Sequence, residues 1–296
     1  MAAYTSLTLI PYGATQANMV ALAQFIFGSV LTGAGWVQTG DTGQQASASW
    51  PAITSINTSN GYQVWRMADA LQGTYPVFMK IELGSSTAAS IIAFWITIGT
   101  GSDGAGSITG TLLARTQFGN YSGSTTAFPS YGSGSTSRFN WALWLNASTA
   151  NSAFYWGIER SKDATGADSN HGLIIQSMAG TSSPKVFWTQ YIPFSGTAVA
   201  AKSQYLSCLH QSLWSTNLGD GAGNIITLPI YPWSLQGHRY AGSQLRAYYG
   251  PDFAAMNPFY IIINGVSHVY YAMGPQNTWA TTFTSYPSLY PMFQYE

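Results

Sequence analysis

What most limits the folds open to this chain is its shortage of ionic groups: ten Lys or Arg and ten Asp or Glu among 296 residues. A soluble monomer ordinarily carries about a quarter charged residues, which keep its surface hydrated and apart from its neighbours. The formal net charge is zero as well, so long-range self-repulsion is lost and the surface is expected to associate with other surfaces unless an assembly covers it. The same figures exclude disorder, because disordered chains combine low hydrophobicity with high net charge and this one is 46% hydrophobic. Ten dispersed cations build no basic stripe for nucleic acid. The single cysteine, Cys208, has no partner for an internal disulfide, so stability is left to packing and strand pairing.

Periodicity then sets the fold class. Thr15 can cap a helix over residues 16–31, in which Met19, Leu22, Ala23, Ile26 and Val30 recur at helical spacing and Gly33 is the expected stop. Beyond it the pattern changes to period two: Val77, Met79, Ile81 and Leu83 alternate with Phe78, Lys80 and Glu82, as in a strand with one buried face. Residues 62–67 alternate similarly, and 91–98 are apolar on both faces, as in a central strand. The Gly, Ser and Thr content of residues 99–134 predicts long loops with short strands between them. Near the end PFYIIING and VSHVYYAM meet at Asn264-Gly265, the strongest hairpin signal in the chain. The expectation is a mainly β protein, with antiparallel sheets of sandwich or jelly-roll character and one N-terminal packing helix. Its regions are 1–134, 135–277 and an extended C-terminal arm, 278–296, with one composite domain as the alternative. The N-terminus has no signal-peptide pattern, and no apolar run is expected to reach the ~18 residues that span a bilayer, so membrane insertion is not expected.

Candidate chemistry is sparse. Residues 99–104 spell GxGxxG after a strand, but no helix opens at the third glycine to face a pyrophosphate, so a turn is expected and no cofactor. Asp163 and Asp168 flank Gly166 without the alternating ligands of a calcium loop, and His171, His210, His238 and His268 lack metal-ligand spacing. Glu82 and Glu159 have basic neighbours in Lys80 and Arg160, which makes ion pairing a better expectation than a pair of glycosidase acids. No GxSxG elbow is present. The chain is expected not to be an enzyme, with no catalytic, cofactor or metal residues.

The aromatics are the remaining resource. Trp141, Trp144, Tyr121, Tyr131, Tyr286 and Tyr290 are candidate contacts with a partner subunit or a surface polysaccharide, since rings with Ser, Asn and Gly make adaptable recognition surfaces.

Four segments carry a likeness: GWVQTGDTGQ (35–44), GYQVWRMADALQGTYPVFMKIELGS (61–85), WITIGTGSDGAGSITG (95–110) and GIERSKDATGADSNHG (157–172). In this order they resemble structural proteins of tailed bacteriophages, the tail, fibre-region or virion proteins, over roughly residues 4–200. The resemblance implies a β-rich virion component, present in several copies in the tail or its adsorption apparatus and assembled in the host cytoplasm. Expected partners are identical subunits, in a closed arrangement such as a trimer or ring, and other tail proteins. Receptor-binding protein and capsid decoration protein stay open as alternatives. The resemblance carries over no active-site residues.

Overall fold

A computed structural model describes residues 4–11, 13, 15–85, 92–118, 128–147, 150–162, 168–177, 185–193, 199–207, 226–229, 231–234, 245–249, 258–263, 265–272 and 289–294. The chain divides into two units, Met1–Trp141 and Ala142–Glu296.

The first unit is organised by helix α1 (Gln16–Ala34). Thr15 takes an extended backbone and its Oγ1 accepts the Asn18 amide at 3.4 Å, which supplies one of the acceptors a helix start lacks. From Gln24 to Leu31 the helix widens to π-type pairing, with the Thr32 amide returning to the Phe27 carbonyl. Among the described residues this helix has the length and composition to cross a membrane, at a mean hydropathy of 1.4 over an 18-residue window, contrary to the expectation from sequence. Met19, Leu22, Ile26, Phe27, Val30 and Leu31 are nevertheless buried within the unit, so the stripe serves as core. The helix also runs past Gly33 and stops at Gly35, which has φ 82°. A Cβ on Gly33 would lie 2.4 Å from the Tyr4 ring, so that glycine admits an aromatic neighbour, while Gly35 supplies the left-handed stop.

Strands β1 (Tyr4–Ile10), β2 (Val37–Gln38), β3 (Thr58–Arg66), β4 (Phe78–Ser85), β5 (Ile92–Ser102), β6 (Ile108–Phe118) and β7 (Phe128–Ser135) complete the unit with the start of β8 (Arg138–Ala147), whose residues from Ala142 on belong to the second unit. β2-β3-β4-β5-β6 form an antiparallel five-stranded sheet, and β1 pairs antiparallel with β7, whose other neighbour is β8. The register places Trp65 opposite Met79, Met79 opposite Ile98, and Ile81 opposite Ile96. These residues are all buried, and each fully buried side chain of this size contributes about 1.5–3 kcal/mol. Phe27 of α1 stacks on Trp50 at 5.2 Å and on Trp65 at 6.4 Å, so the core lies between the helix and one face of the sheet.

In the second unit, β9 (Ala150–Lys162), β10 (Asp168–Ser177), β11 (Lys185–Pro193), β12 (Val199–Ser207) and β14 (Tyr231–Ser234) are successive antiparallel neighbours. A separate antiparallel sheet runs β13 (Ile226–Pro229), β15 (Leu245–Tyr249), β18 (Leu289–Gln294), β17 (Val266–Ala272), β16 (Pro258–Ile263). The expected hairpin is present, with Ile263 opposite Val266, although Asn264 itself lies outside the described residues.

The mainly β, antiparallel class with one N-terminal helix is therefore the observed one. Two expectations are corrected. Much of 99–134 is strand, because β-branched Ile108, Thr109, Thr111 and Thr116 suit a pleated surface. The described part of the expected arm is β18, paired with both β15 and β17. Pro291 fits there because pairing with β17 starts only at Met292, so its missing N–H leaves no bond unmade on that side.

Candidate functional site

One face of the five-stranded sheet is core. The other carries Tyr62, Lys80, Glu82, Trp95 and Arg115, and a loop closes over part of it. Residues 39–45 take the place that a further strand would occupy beside β3. Thr39 N–H donates to the Val64 carbonyl at 2.9 Å and Gln45 N–H to the Tyr62 carbonyl at 3.0 Å. The Gln44 side chain completes the mimicry: its Oε1 accepts the Val64 N–H at 2.7 Å and its Nε2 donates to the Thr39 carbonyl at 2.7 Å. Beyond the two-residue β2, which pairs with Trp65 and Arg66, the edge of β3 is thereby satisfied by side chain and loop backbone.

The loop is tied to the β5–β6 turn through Asp41. Its Oδ2 accepts the Ser102 hydroxyl in a short hydrogen bond and the Gly106 N–H at 2.9 Å, and Thr42 N–H reaches the Gly104 carbonyl at 2.9 Å. Burial works against the Asp41 charge, but hydrogen bonds from Ser102, Thr39 and Gly106 outweigh it and hold the carboxyl below its ordinary range. Asp103, in the exposed turn, is likewise lowered, by the Ser107 and Ala105 amides. Tyr62 bridges the same loops, its hydroxyl donating to the Thr42 carbonyl at 2.6 Å. Burial and the charges of Asp41, Asp103 and Glu82 raise its pKa, which keeps the proton it donates. Gly106 is required at this junction: its φ is 89° and a Cβ would lie 2.1 Å from the Tyr62 hydroxyl.

Glu82 is paired with Arg115, not with Lys80. Arg115 Nε donates to Oε2 at 2.7 Å and Nη2 to Oε1 at 3.2 Å, while its guanidinium lies 4.7 Å from the Trp95 ring centre. Lys80 sits 4.1 Å from the Tyr62 ring centre, a cation–π contact. Residues 99–104 end β5 and enter the turn to β6. Among the described residues there is no group of three or more His, Cys, Asp or Glu placed to hold a metal ion.

Beside the Asp41 junction, the β3–β4 connection and the end of β5 enclose an open hollow of about 660 Å³. Arg66, Asp69, Gln72, Phe78, Thr100 and Ser102 line it. Gln72 is held at 8% exposure by the Val77 N–H, which donates to its Oε1 at 3.0 Å.

The aromatic contacts expected from sequence are partly relocated. Trp141 is wholly buried, edge-on to Phe94 at 4.9 Å with Nε1 donating to Ser130 Oγ at 3.0 Å. Tyr131 is buried too. Both are core residues of the first unit, drawn inward by the apolar area of their rings, and are not surface contacts. Trp144 lies in β8 and Tyr290 in β18 opposite Tyr248; Tyr121 and Tyr286 fall outside the described residues. Glu159 stands opposite His171 across β9 and β10, and the expected turn around Asp163 and Gly166 falls outside the described residues. Cys208, His210 and His238 do as well.

The second unit presents a different feature, which the sequence reading missed. β16 is an edge of its sheet among the described strands, and on it Tyr260 and Ile262 are 71% and 74% exposed, with Val266 of the hairpin 57% exposed. The available signal was PFYIII itself, a strand-length run with no charge in it.

Compared with known proteins, the chain matches no family model and no curated protein.

Proposed function

We propose that this chain is a non-enzymatic structural protein of a tailed-bacteriophage virion, a multi-copy component of the tail, in its fibre, baseplate or adsorption apparatus. It joins identical subunits and neighbouring tail proteins through β-rich surfaces. The observation that carries the reading is the β16 edge. It has no further strand beside it among the described residues, it exposes Tyr260 and Ile262, and no charged residue lies in Pro258–Ile263 to repel a partner. Natural sheets blunt such edges with charge, proline or a cover; an edge left apolar in a chain with so few charges fits one covered by another subunit. The likeness of the four sequence segments supplies the virion setting. Three of them, 35–44, 61–85 and 95–110, meet in the Asp41 junction of the first unit, so they are parts of one structural element.

The bidentate hold of Arg115 on Glu82 supports a non-enzymatic role, since it occupies a carboxylate that hydrolysis would need free. Gold-labelled antibody against the chain, imaged on intact particles, tests the assignment. Label at the tail is the expected result. Label on the head would favour a decoration protein, and particles without the chain would reject the virion setting.

A further inference from the structure

The turn at the end of β16 fixes which of its backbone groups face the sheet and which face away. Ile263 stands opposite Val266 across a two-residue loop, in which Gly265 has φ 79°, and such a loop closes on a hydrogen-bonded pair. Hydrogen-bonded and non-hydrogen-bonded pairs alternate along an antiparallel ladder. Ile263, Ile261 and Phe259 therefore bond β17, and the N–H and C=O groups of Tyr260 and Ile262 point away from it. No described strand lies on that side, and the same two residues carry the strongly exposed side chains of the strand. Pro258, the third residue with this orientation, has no N–H to offer.

From this pattern we infer that β16 pairs antiparallel with β16 of a second copy of this chain, on a two-fold axis that sets Ile261 against Ile261 of the sister chain. The inference rests on the reading that sister subunits cover this edge and adds to it the register and the symmetry. In this register Tyr260 of each copy stands opposite Ile262 of the other, and each such pair exchanges two backbone hydrogen bonds, so every outward N–H of Tyr260 and Ile262 finds an acceptor. Moving the axis to Tyr260 would set Ile262 against Pro258, which cannot donate, and moving it to Ile262 would run Tyr260 into the turn. A shift that sets even residues against odd ones would place outward groups against inward ones. By register, the face that carries Tyr260 and Ile262 holds no charged residue on any of the five strands, and Arg246 and His268 fall on the other face. The two-fold keeps that uncharged face continuous across both copies, so pairing brings no like charges together on it. The opposite edge of the sheet, β13, has four residues and ends in Pro229, which makes it a poorer mate for β16 than β16 is for itself. This edge therefore makes pairs and does not close a trimer or a ring.

The test is disulfide trapping in the full chain, in a Cys208→Ser background that removes the one native thiol. Ile261 faces its own copy in a non-hydrogen-bonded pair, with Cα atoms about 4.5 Å apart, inside the roughly 4.4–6.8 Å that a disulfide spans. The two copies of Tyr260, like those of Ile262, stand about 8 Å apart, outside that span. Under oxidised glutathione, Ile261→Cys should form a covalent dimer at least about tenfold faster than Tyr260→Cys or Ile262→Cys alone. An equimolar mixture of the last two variants should cross-link as neither does by itself, and the mixture decides if circular dichroism shows that Ile261→Cys does not fold. Sedimentation of the reduced samples separates the failures. Reduced oligomers that give neither cross-link overturn the two-fold register and leave the covered edge standing, while monomers throughout overturn both. Fast cross-linking by Tyr260→Cys or by Ile262→Cys alone would place the axis elsewhere and overturn the inference.

Discussion

Removing the Asp41 carboxylate should detach the 39–45 loop from the β5–β6 turn. In Asp41→Ala the Ser102 hydroxyl and the Gly106 amide both lose their acceptor, and Gly106 is buried. Each stranded donor costs about 1–3 kcal/mol, so a loss of roughly 2–5 kcal/mol is expected, a large part of the ~5–15 kcal/mol that stabilises a typical domain. Asp41→Asn is the informative companion. Both of these bonds fall on one oxygen, Oδ2, so the Asn carbonyl can accept both, and the charge assistance and the Thr39 bond are lost, about 1–2 kcal/mol. The pair also separates in pH. The Asp41 carboxyl is lowered in the folded chain, so its contribution is fully present above the unfolded value of about 3.9 and disappears as pH falls through the lower folded value. Wild type should therefore lose stability on acidification below about pH 5 more steeply than Asp41→Asn. Asp103 shifts the same way, so the slope shrinks in the variant and does not vanish. Denaturant unfolding followed by circular dichroism between pH 3 and 7 reads both effects, with roughly 1–3 kcal/mol/M urea slopes as the reference for small domains. If Asp41→Ala costs under about 1 kcal/mol, or Asp41→Asn keeps the full acid slope, the junction does not work as described.

Other outcomes follow from the same geometry. Gly106→Ala should cost about 2–4 kcal/mol, because a side chain there meets both the hydroxyl and the ring of Tyr62 and is strained at positive φ; combined with Tyr62→Ala, which removes the ring as well, the two losses should add to less than their sum in a double-mutant cycle, and full additivity would mean the backbone term dominates. Trp141→Ala should cost about 3–5 kcal/mol as a core cavity, measurable by denaturant titration, whereas a surface contact residue would change stability little. Arg115→Ala leaves the mostly buried Glu82 carboxylate unpaired and should destabilise the chain more than Arg115→Ala combined with Glu82→Gln, a difference that a double-mutant cycle reads directly.

Periodicity made β4 and the helix legible, because burial of one face imposes a period that survives in the sequence, and β5 was legible as a run apolar on both faces. The helix end did not survive as clearly. Gly33 and Gly35 read alike as stops, and only the Tyr4 ring packed on Gly33 distinguishes them. The strands within 99–134 were hidden by glycine and threonine, whose pairing is fixed by β5 and not by local propensity. The Asp41 junction lies further out of reach: Ser102 and Asp41 are 61 residues apart, and an Asp in a Gly/Thr-rich loop carries no mark of which turn it will bind. Burial of Trp141 and Tyr131 was missed for a related reason, since ring area suits a core and a contact surface equally well. The hollow beside the Asp41 junction was equally hidden, because Arg66 and Phe78 face each other only through the β3–β4 register and Gln72 joins them from the connection.

The central claim is that sister molecules cover the apolar edge of this weakly charged chain. Sedimentation velocity of the purified full chain over a wide concentration range, beside a Tyr260→Lys/Ile262→Lys variant, tests it most directly. The account predicts a defined oligomer for the wild type and a shift to monomer for the variant with its fold intact. A wild-type chain that stays a soluble monomer at every concentration, or a variant that assembles just as well, would contradict it.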